Sequence, residues 1–155
     1  MSGLIKTFQE ATDLQCGFLE KLLDLDMASV AAFSDSMADF LSPSPDNKFV
    51  YGLAAGRSAL ALYSFLQLIQ NHFDNVFPFT LEDPVQRHYR KGKNLGIAIS
   101  GSGETLAVNK YIGDIITLGG DIKLITANEN GTAYKMVREY ERGSVLVFKA
   151  RTKES

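Results

Sequence analysis

The chain has 155 residues, of which 45% are hydrophobic and 22% are charged, and its formal net charge is -2. These values are typical of one folded domain and exclude a disordered chain. The charge lacks the broad positive field of nonspecific nucleic-acid binding proteins, and no apolar run reaches the roughly 20 residues that span a bilayer. We therefore expect neither nucleic acid nor a membrane as a partner.

The cysteine content and the N-terminus bear on the compartment. Cys16 is the only cysteine, so no internal disulfide can form, as is compatible with a reducing cytoplasm. No histidine neighbours Cys16 in sequence, which favours a small buried helix residue over a reactive thiol. The first residues lack the apolar segment behind a basic start that marks a signal peptide. These features predict a cytoplasmic protein.

The first part of the chain is predicted to be helical. Apolar residues recur near helical spacing in residues 3–23 and again in residues 30–41. A loop with two prolines then follows at residues 42–47. We expect residues 1–41 to pack as a helical segment on a single domain that spans residues 1–155.

Strands and helices alternate in the rest of the chain. This alternation predicts an α/β fold, with a parallel sheet covered by helices on both faces. The glycine pair at 119–120 is the predicted end of one helix. The helix over residues 60–69 is apolar nearly all round, which predicts burial on more than one side, in part against another subunit. The predicted strands are residues 48–53, 76–80, 95–99, 122–126 and 145–148, and the predicted helices are residues 60–69, 108–116 and 133–140.

The chemistry is concentrated where the apolar strand at 95–99 meets the next helix, in the sequence Ser-Gly-Ser-Gly-Glu-Thr at 100–105. The first N–H groups of a helix lack intrahelical partners, and the helix dipole adds partial positive charge, so an anion is stabilised there. Gly101 and Gly103 allow a tight turn and a close approach by a ligand. The segment therefore predicts a phosphate-binding loop. Its hydroxyl side chains are Ser100, Ser102 and Thr105.

The alternative for this segment is a simple helix cap. Capping explains one serine or threonine at a helix start, but not three hydroxyls and two glycines in six residues. The segment is neither a Walker A loop nor a GxGxxG motif. A second small-residue turn after the first strand supports the anion site. There Gly56 allows close approach, Ser58 offers another hydroxyl, and Arg57 can pair with phosphate or a carboxylate.

These two turns, about 42 residues apart, resemble the SIS (sugar isomerase) domain family, and within it the 3-hexulose-6-phosphate isomerases. The matching stretches are Ala-Ala-Gly-Arg-Ser at 54–58, residues 100–105, and Lys-Ala-Arg-Thr-Lys at 149–153. The resemblance implies a three-layer α-β-α sandwich with a five-stranded parallel sheet, in a flavodoxin-like arrangement. It implies dimers or tetramers with sites near subunit interfaces. It also implies phosphate ligands, namely Ser58, Ser100, Ser102 and Thr105.

The activity that the resemblance implies is aldose–ketose isomerisation of a sugar phosphate, without a metal or an organic cofactor. A carboxylate would move a proton between C1 and C2 through an enediolate. The family's catalytic glutamate lies on a helix beyond the Arg-Thr-Lys stretch and has no counterpart in this sequence. The family's first-turn glycine is replaced by Ala54, and the family's histidine position holds Asn71, with His72 one residue later.

Other residues are candidates for the chemistry. Glu104 can point at a sugar or satisfy N–H groups at a helix start. Glu82 can overhang the site or remain solvated. His72 can assist ring opening from a neighbouring subunit or play a structural part. The basic cluster at 87–93 can bind a second anion or form a solvated surface.

Two functions follow from these patterns. The first is a sugar-phosphate isomerase similar to 3-hexulose-6-phosphate isomerase. The second is a noncatalytic phosphosugar-binding or regulatory module. Both predict a phosphorylated sugar as the ligand.

Overall fold

The computed structural model describes Glu10, residues 27–81 and residues 92–148. This part contains four helices and five strands, which alternate as the sequence predicts. Apart from Glu10, the predicted first helix lies outside the described residues, and so do Cys16, Glu82 and the stretch at 149–153. The elements in chain order are α1 (Met27–Leu41), β1 (Lys48–Ala54), α2 (Arg57–His72), β2 (Val76–Phe79), β3 (Lys93–Ile99), α3 (Leu106–Leu118), β4 (Asp121–Thr126), α4 (Thr132–Arg138) and β5 (Gly143–Val147).

The five strands form one sheet in which every pairing is parallel. The strand order is β2-β1-β3-β4-β5. The chain therefore runs outward from β1 to β2, and then crosses back to place β3 on the other side of β1. The order reverses between β1 and β3, and in open α/β sheets the crevice at such a switch point, beyond the carboxyl ends of the strands, is where ligands bind.

The sheet separates two apolar cores, so the molecule has three layers. Successive side chains of a strand point to opposite faces. In β1, Val50 and Ala54 belong to the core beneath α1 and α2, whereas Tyr51 and Leu53 belong to the core beneath α3 and α4. The predicted α-β-α sandwich is thereby confirmed.

The ends of the elements follow local rules. Gly119 has a φ of 79° and closes α3 with its N–H on the carbonyl of Ile116, while the Gly120 N–H reaches Ile115. This left-handed cap confirms the predicted helix end. Strand β3 begins at Lys93, two residues earlier than predicted, because Lys93 aligns with Lys48 of β1 and donates its N–H to the Asn47 carbonyl at 2.9 Å.

Helix α2 is more apolar than one buried face requires. It buries Leu62, Leu66 and Ile69 against the sheet. It leaves Leu60 73% exposed and Leu68 58% exposed. The excess of apolar side chains therefore lies on a face that no described residue covers completely.

Strand β2 forms one edge of the sheet and has only four residues. Pro78 lies within it and has no N–H to donate. Phe79 stacks on Tyr51 of β1 with ring centroids 5.3 Å apart. Aromatic packing thus supplements a short ladder of backbone bonds. Among the described residues, no helix is both long enough and apolar enough to cross a membrane.

Candidate phosphate-binding site

The two turns that the sequence singles out lie side by side at the switch point. Ala54 is the last residue of β1, Ile99 is the last residue of β3, and the two are aligned in the parallel register. The chain leaves β1 through Gly56 into α2, and leaves β3 through residues 100–105 into α3. Two helix starts therefore flank the crevice between β1 and β3, where the partial positive charges of both helices favour an anion.

Ser100 anchors the loop from below. It is 4% exposed, its N–H donates to the carbonyl of Ile125 at 3.1 Å, and its Oγ accepts the N–H of Gly103 at 3.1 Å. Its hydroxyl also lies 3.5 Å from Oγ1 of Thr105. The Ser100 oxygen thus closes the loop upon itself, and its role as a direct phosphate ligand stays a prediction.

Ser102 lies at the surface of the loop. Its Oγ accepts the N–H of Glu104 at 3.2 Å, which leaves the hydroxyl proton available as a donor. Thr105 is the first residue before α3, and its side chain makes no capping bond to the helix. The alternative of pure capping therefore accounts for the oxygens of Ser100 and Ser102, but not for Thr105.

Backbone donors also remain in the loop. Within residues 27–81 and 92–148, no protein group accepts the N–H of Gly101, Ser102 or Thr105. Along α3, the first helical bond from the Thr105 carbonyl is to the N–H of Asn109, at 2.9 Å. The preceding N–H groups of the first turn have no intrahelical acceptor. A tetrahedral oxyanion at this edge would find several such donors.

Gly103 is the position where only glycine fits. Its φ is 70°, and a β-carbon there would lie 3.2 Å from Cα of Gly131. Side chains rarely adopt this φ, and the neighbour is backbone, which yields little. Gly101 contrasts with it, because a β-carbon at Gly101 meets nothing within 4 Å. Gly101 therefore leaves open space above the loop, which a ligand can use.

The turn between β4 and α4 holds the loop from the side, and sequence reasoning missed it. The Nδ2 of Asn128 donates to the Ser102 carbonyl at 2.8 Å, and the N–H of Ala133 donates to the Gly103 carbonyl at 2.9 Å. From α3, the Nδ2 of Asn109 also reaches the Gly103 carbonyl, at 3.2 Å. The available signal was the position of Asn128, which follows a strand whose carboxyl end lies at the same edge of the sheet.

Glu104 satisfies a helix start, as one of the two alternatives proposed, but the helix is α4 rather than its own α3. Its Oε1 accepts the N–H of Thr132 at 2.8 Å, and its Oε2 accepts Oγ1 of Thr132 at 2.7 Å. These bonds from the Thr132 hydroxyl and backbone, with the charge of Lys135, lower the pKa of Glu104 below its ordinary value. The carboxylate is fully exposed, bound to protein donors and ionised.

The first turn has the geometry expected of a ligand-facing segment. Gly56 has a φ of 62° and a ψ of -136°, and it precedes α2 without any side-chain cap. Arg57 is exposed and Ser58 is half-buried, both in the first turn of α2. The structure thus brings Gly56, Arg57 and Ser58 to the same crevice as the loop after β3. Their contact with a ligand stays a prediction.

His72 lies far from this crevice within one chain. It ends α2, a helix of 16 residues, which places it about 22 Å from the helix start at 1.5 Å per residue. Its Nδ1 lies 2.9 Å from the carbonyl of Leu68, and the side chain is exposed. Only a second subunit could bring this imidazole to the site. Most of the basic cluster at 87–93 is outside the described residues.

No family model matches the sequence, and no curated protein matches it significantly. Solved structures do match. An Escherichia coli CFT073 protein in complex with a sugar phosphate superposes with a TM-score of 0.68 at 12% identity, over 99% of this chain and 77% of that chain. A Methanococcus jannaschii protein, whose structure infers the function of 3-hexulose-6-phosphate isomerase, superposes at 0.57 and 20% identity, over 80% and 64%.

The chain has the fold of the SIS proteins. Vibrio vulnificus NanR complexed with ManNAc-6P has it too, with a TM-score of 0.62 and 16% identity over 91% of this chain and 49% of NanR. The SIS fold thus occurs in proteins that differ in length. The resemblance stated from sequence is confirmed at the level of the fold.

Proposed function

We propose that the chain binds a phosphorylated sugar, with the phosphate in the crevice between β1 and β3. The observation that carries this proposal is the alignment of Ala54 with Ile99, which sets the starts of α2 and α3 on either side of one crevice. Phosphate ligands in this proposal are the donors of the loop, with Ser58 from the first turn. Two of the fold neighbours, the Escherichia coli CFT073 protein and NanR, are complexes with sugar phosphates, which is consistent with such a ligand.

The proposed activity is aldose–ketose isomerisation, similar to that of 3-hexulose-6-phosphate isomerase. The phosphate site would fix one end of an open-chain sugar. A base would then take the proton from the carbon next to the carbonyl and return it to the neighbouring carbon, so that the carbonyl moves by one position with no net change in composition. Support comes from the fold shared with the Methanococcus jannaschii protein and with a tagatose-6-phosphate ketose/aldose isomerase from Escherichia coli.

A second candidate is a noncatalytic phosphosugar-binding module. Two observations favour it over an enzyme that works within one subunit. Both carboxylate oxygens of Glu104 accept bonds from Thr132, so this carboxylate is occupied by its own protein. His72 stands at the far end of α2. Glu82, the remaining candidate from the sequence, is outside the described residues.

We also propose that copies of the chain associate as a dimer or tetramer through the exposed apolar face of α2. Leu60, Phe65 and Leu68 lie on this face, and all three are large exposed hydrophobic side chains. Beside it, a groove of about 760 Å³ opens between α1 and α2, with Phe33, Phe65 and Ile125 among its lining residues. Burying such surface stabilises association by about 25 cal/mol per Å². Sedimentation at micromolar concentration should show an oligomer, and a monomer would contradict it.

Calorimetry with fructose 6-phosphate and with fructose tests the ligand. The phosphorylated sugar should bind at least about tenfold more tightly, because charge-assisted hydrogen bonds to the phosphate are lost with fructose. Ser102→Ala should weaken binding of fructose 6-phosphate, whereas the matched control Ser64→Ala, an exposed serine within α2, should not. Equal affinities for the two sugars would refute the phosphate site.

Turnover separates the two candidate functions. Hexulose 6-phosphate is incubated with the full chain, and fructose 6-phosphate is followed. Conversion that Ser102→Ala slows would establish the isomerase. Binding of the sugar phosphate without conversion would favour the noncatalytic module.

A further inference from the structure

Glu104 connects the phosphate loop to the turn before α4. The residue belongs to the loop after β3, while its partner Thr132 lies 28 positions later in the chain. The two bonds, at 2.8 and 2.7 Å, engage both carboxylate oxygens with one backbone donor and one hydroxyl donor of the same residue. This two-point contact fixes the carboxylate in position as well as in orientation.

The contact belongs to a row of three that holds consecutive loop residues. The Ser102 carbonyl accepts Nδ2 of Asn128, the Gly103 carbonyl accepts the N–H of Ala133, and the Glu104 side chain accepts Thr132. Of the three acceptors, only the Glu104 carboxylate is charged, and hydrogen bonds to charged groups are the stronger kind. The row leaves the backbone of the loop little freedom to rotate.

A carboxylate is an unexpected neighbour for an anion site, because like charges repel and lower the affinity for phosphate. The charge near the site must then be offset by a favourable effect. Pre-organisation is such an effect, since a loop already held in its bound conformation loses less conformational entropy when the ligand arrives.

We propose that Glu104 is a positioning residue, whose carboxylate holds Ser102 and Gly103 in the conformation that receives phosphate by binding Thr132. This inference rests on the proposed function of the loop. It excludes Glu104 as the free base of an isomerisation, and it assigns a role in binding to Thr132.

The sign of the effect on phosphate affinity tests this role. Glu104→Gln and Glu104→Ala remove the same charge, but only glutamine keeps an oxygen that can accept the Thr132 N–H. Loss of charge alone should tighten binding. Loss of positioning should weaken binding by about threefold for Glu104→Gln and about tenfold for Glu104→Ala, with inorganic phosphate as the probe in calorimetry. The control is Glu129→Gln, an exposed glutamate on the same turn, which should leave the affinity unchanged or slightly higher.

Thr132→Val provides a test that keeps every charge. It removes the hydroxyl donor and retains the backbone N–H, so affinity should fall about threefold. Thermal melts show which variants are folded, and Glu104→Gln with Thr132→Val are sufficient if Glu104→Ala does not fold. Affinities equal to or tighter than wild type in both would overturn the inference while leaving phosphate binding intact. A wild-type chain that binds no phosphate would instead refute the proposed function, and the inference with it.

Discussion

The two edges of the sheet use polar groups in opposite ways. Toward the amino edge, Lys123 is 9% exposed, and its Nζ donates to the hydroxyl of Ser36 and, at 2.8 Å, to that of Ser144. Nearby, Nε of Arg142 donates to Oδ1 of Asp121 at 2.7 Å. Each of these groups is satisfied within the protein, so this edge joins α1, β4 and β5.

At the carboxyl edge the polar groups are only partly satisfied. The N–H groups of Gly101 and Ser102 find no acceptor within residues 27–81 and 92–148, although the carbonyls of the same residues accept bonds from the neighbouring turn. The loop is thus held through its acceptors and left open through its donors. One sheet separates stability from recognition by placing them at opposite ends of its strands. Substitutions at the two edges should therefore separate affinity from stability.

The largest effect is expected for Gly103→Ala. A φ of 70° costs an alanine about 1–2 kcal/mol, and the added β-carbon would approach the Gly131 backbone. Both the free energy of unfolding and the affinity for phosphate should fall, as urea denaturation and calorimetry will show. Gly101→Ala is the control for stability, because it has open space, and it should change the free energy of unfolding by less than about 0.5 kcal/mol. Equal losses from the two variants would contradict this.

Ser100→Ala should affect stability as well as affinity. The Ser100 Oγ is the acceptor of the buried Gly103 N–H, and leaving such a donor unsatisfied costs about 1–3 kcal/mol. Ser102→Ala, at an exposed position, should reduce phosphate affinity with little change in the melting temperature. Should both variants melt like wild type, Ser100 would not anchor the loop.

Lys123→Met should change the pH dependence of stability but not phosphate affinity. Burial lowers the pKa of Lys123 below its ordinary 10.5, while Asp121 opposes the shift. Between the lowered pKa and 10.5 the unfolded chain binds more protons than the folded chain, so this lysine makes the free energy of unfolding rise with pH through that window. Urea denaturation at about pH 7 and about pH 10 should show a smaller rise for Lys123→Met. A parallel pH profile would contradict the burial of the charge.

His72→Ala is expected to have the smallest effect. The side chain is exposed at the amino edge, so the free energy of unfolding should change by less than about 0.5 kcal/mol, and fructose 6-phosphate affinity should remain unchanged. Calorimetry checks this. A loss of affinity would indicate that a second subunit brings His72 into the crevice.

The sequence predicts the layers because their signals are local. The apolar run at residues 95–99 indicates a strand buried on both faces, and Gly119 ends a helix whatever lies around it. The anion loop was also predictable, since its glycines and hydroxyls are consecutive. Only the boundaries shifted, as at Lys93, because pairing with β1 extends the strand.

The partners of the loop were not predictable in this way. Thr132 and Asn128 lie 28 and 26 positions from Glu104 and Ser102, respectively, and meet them only because β3 and β4 are neighbours in the sheet. Likewise, nothing in the sequence around Lys123 shows that its partner Ser36 comes from a helix 87 positions away. Contacts of this kind are determined by the topology.

The short edge strand β2 has a consequence for how copies of the chain can meet. A strand of four residues that includes Pro78 is a poor template for backbone pairing, and prolines at sheet edges are a common protection against fibril growth. At this edge, the protein is protected from extending its sheet into a neighbouring molecule. Self-assembly there is directed away from cross-β polymers and toward closed assemblies formed by helix faces.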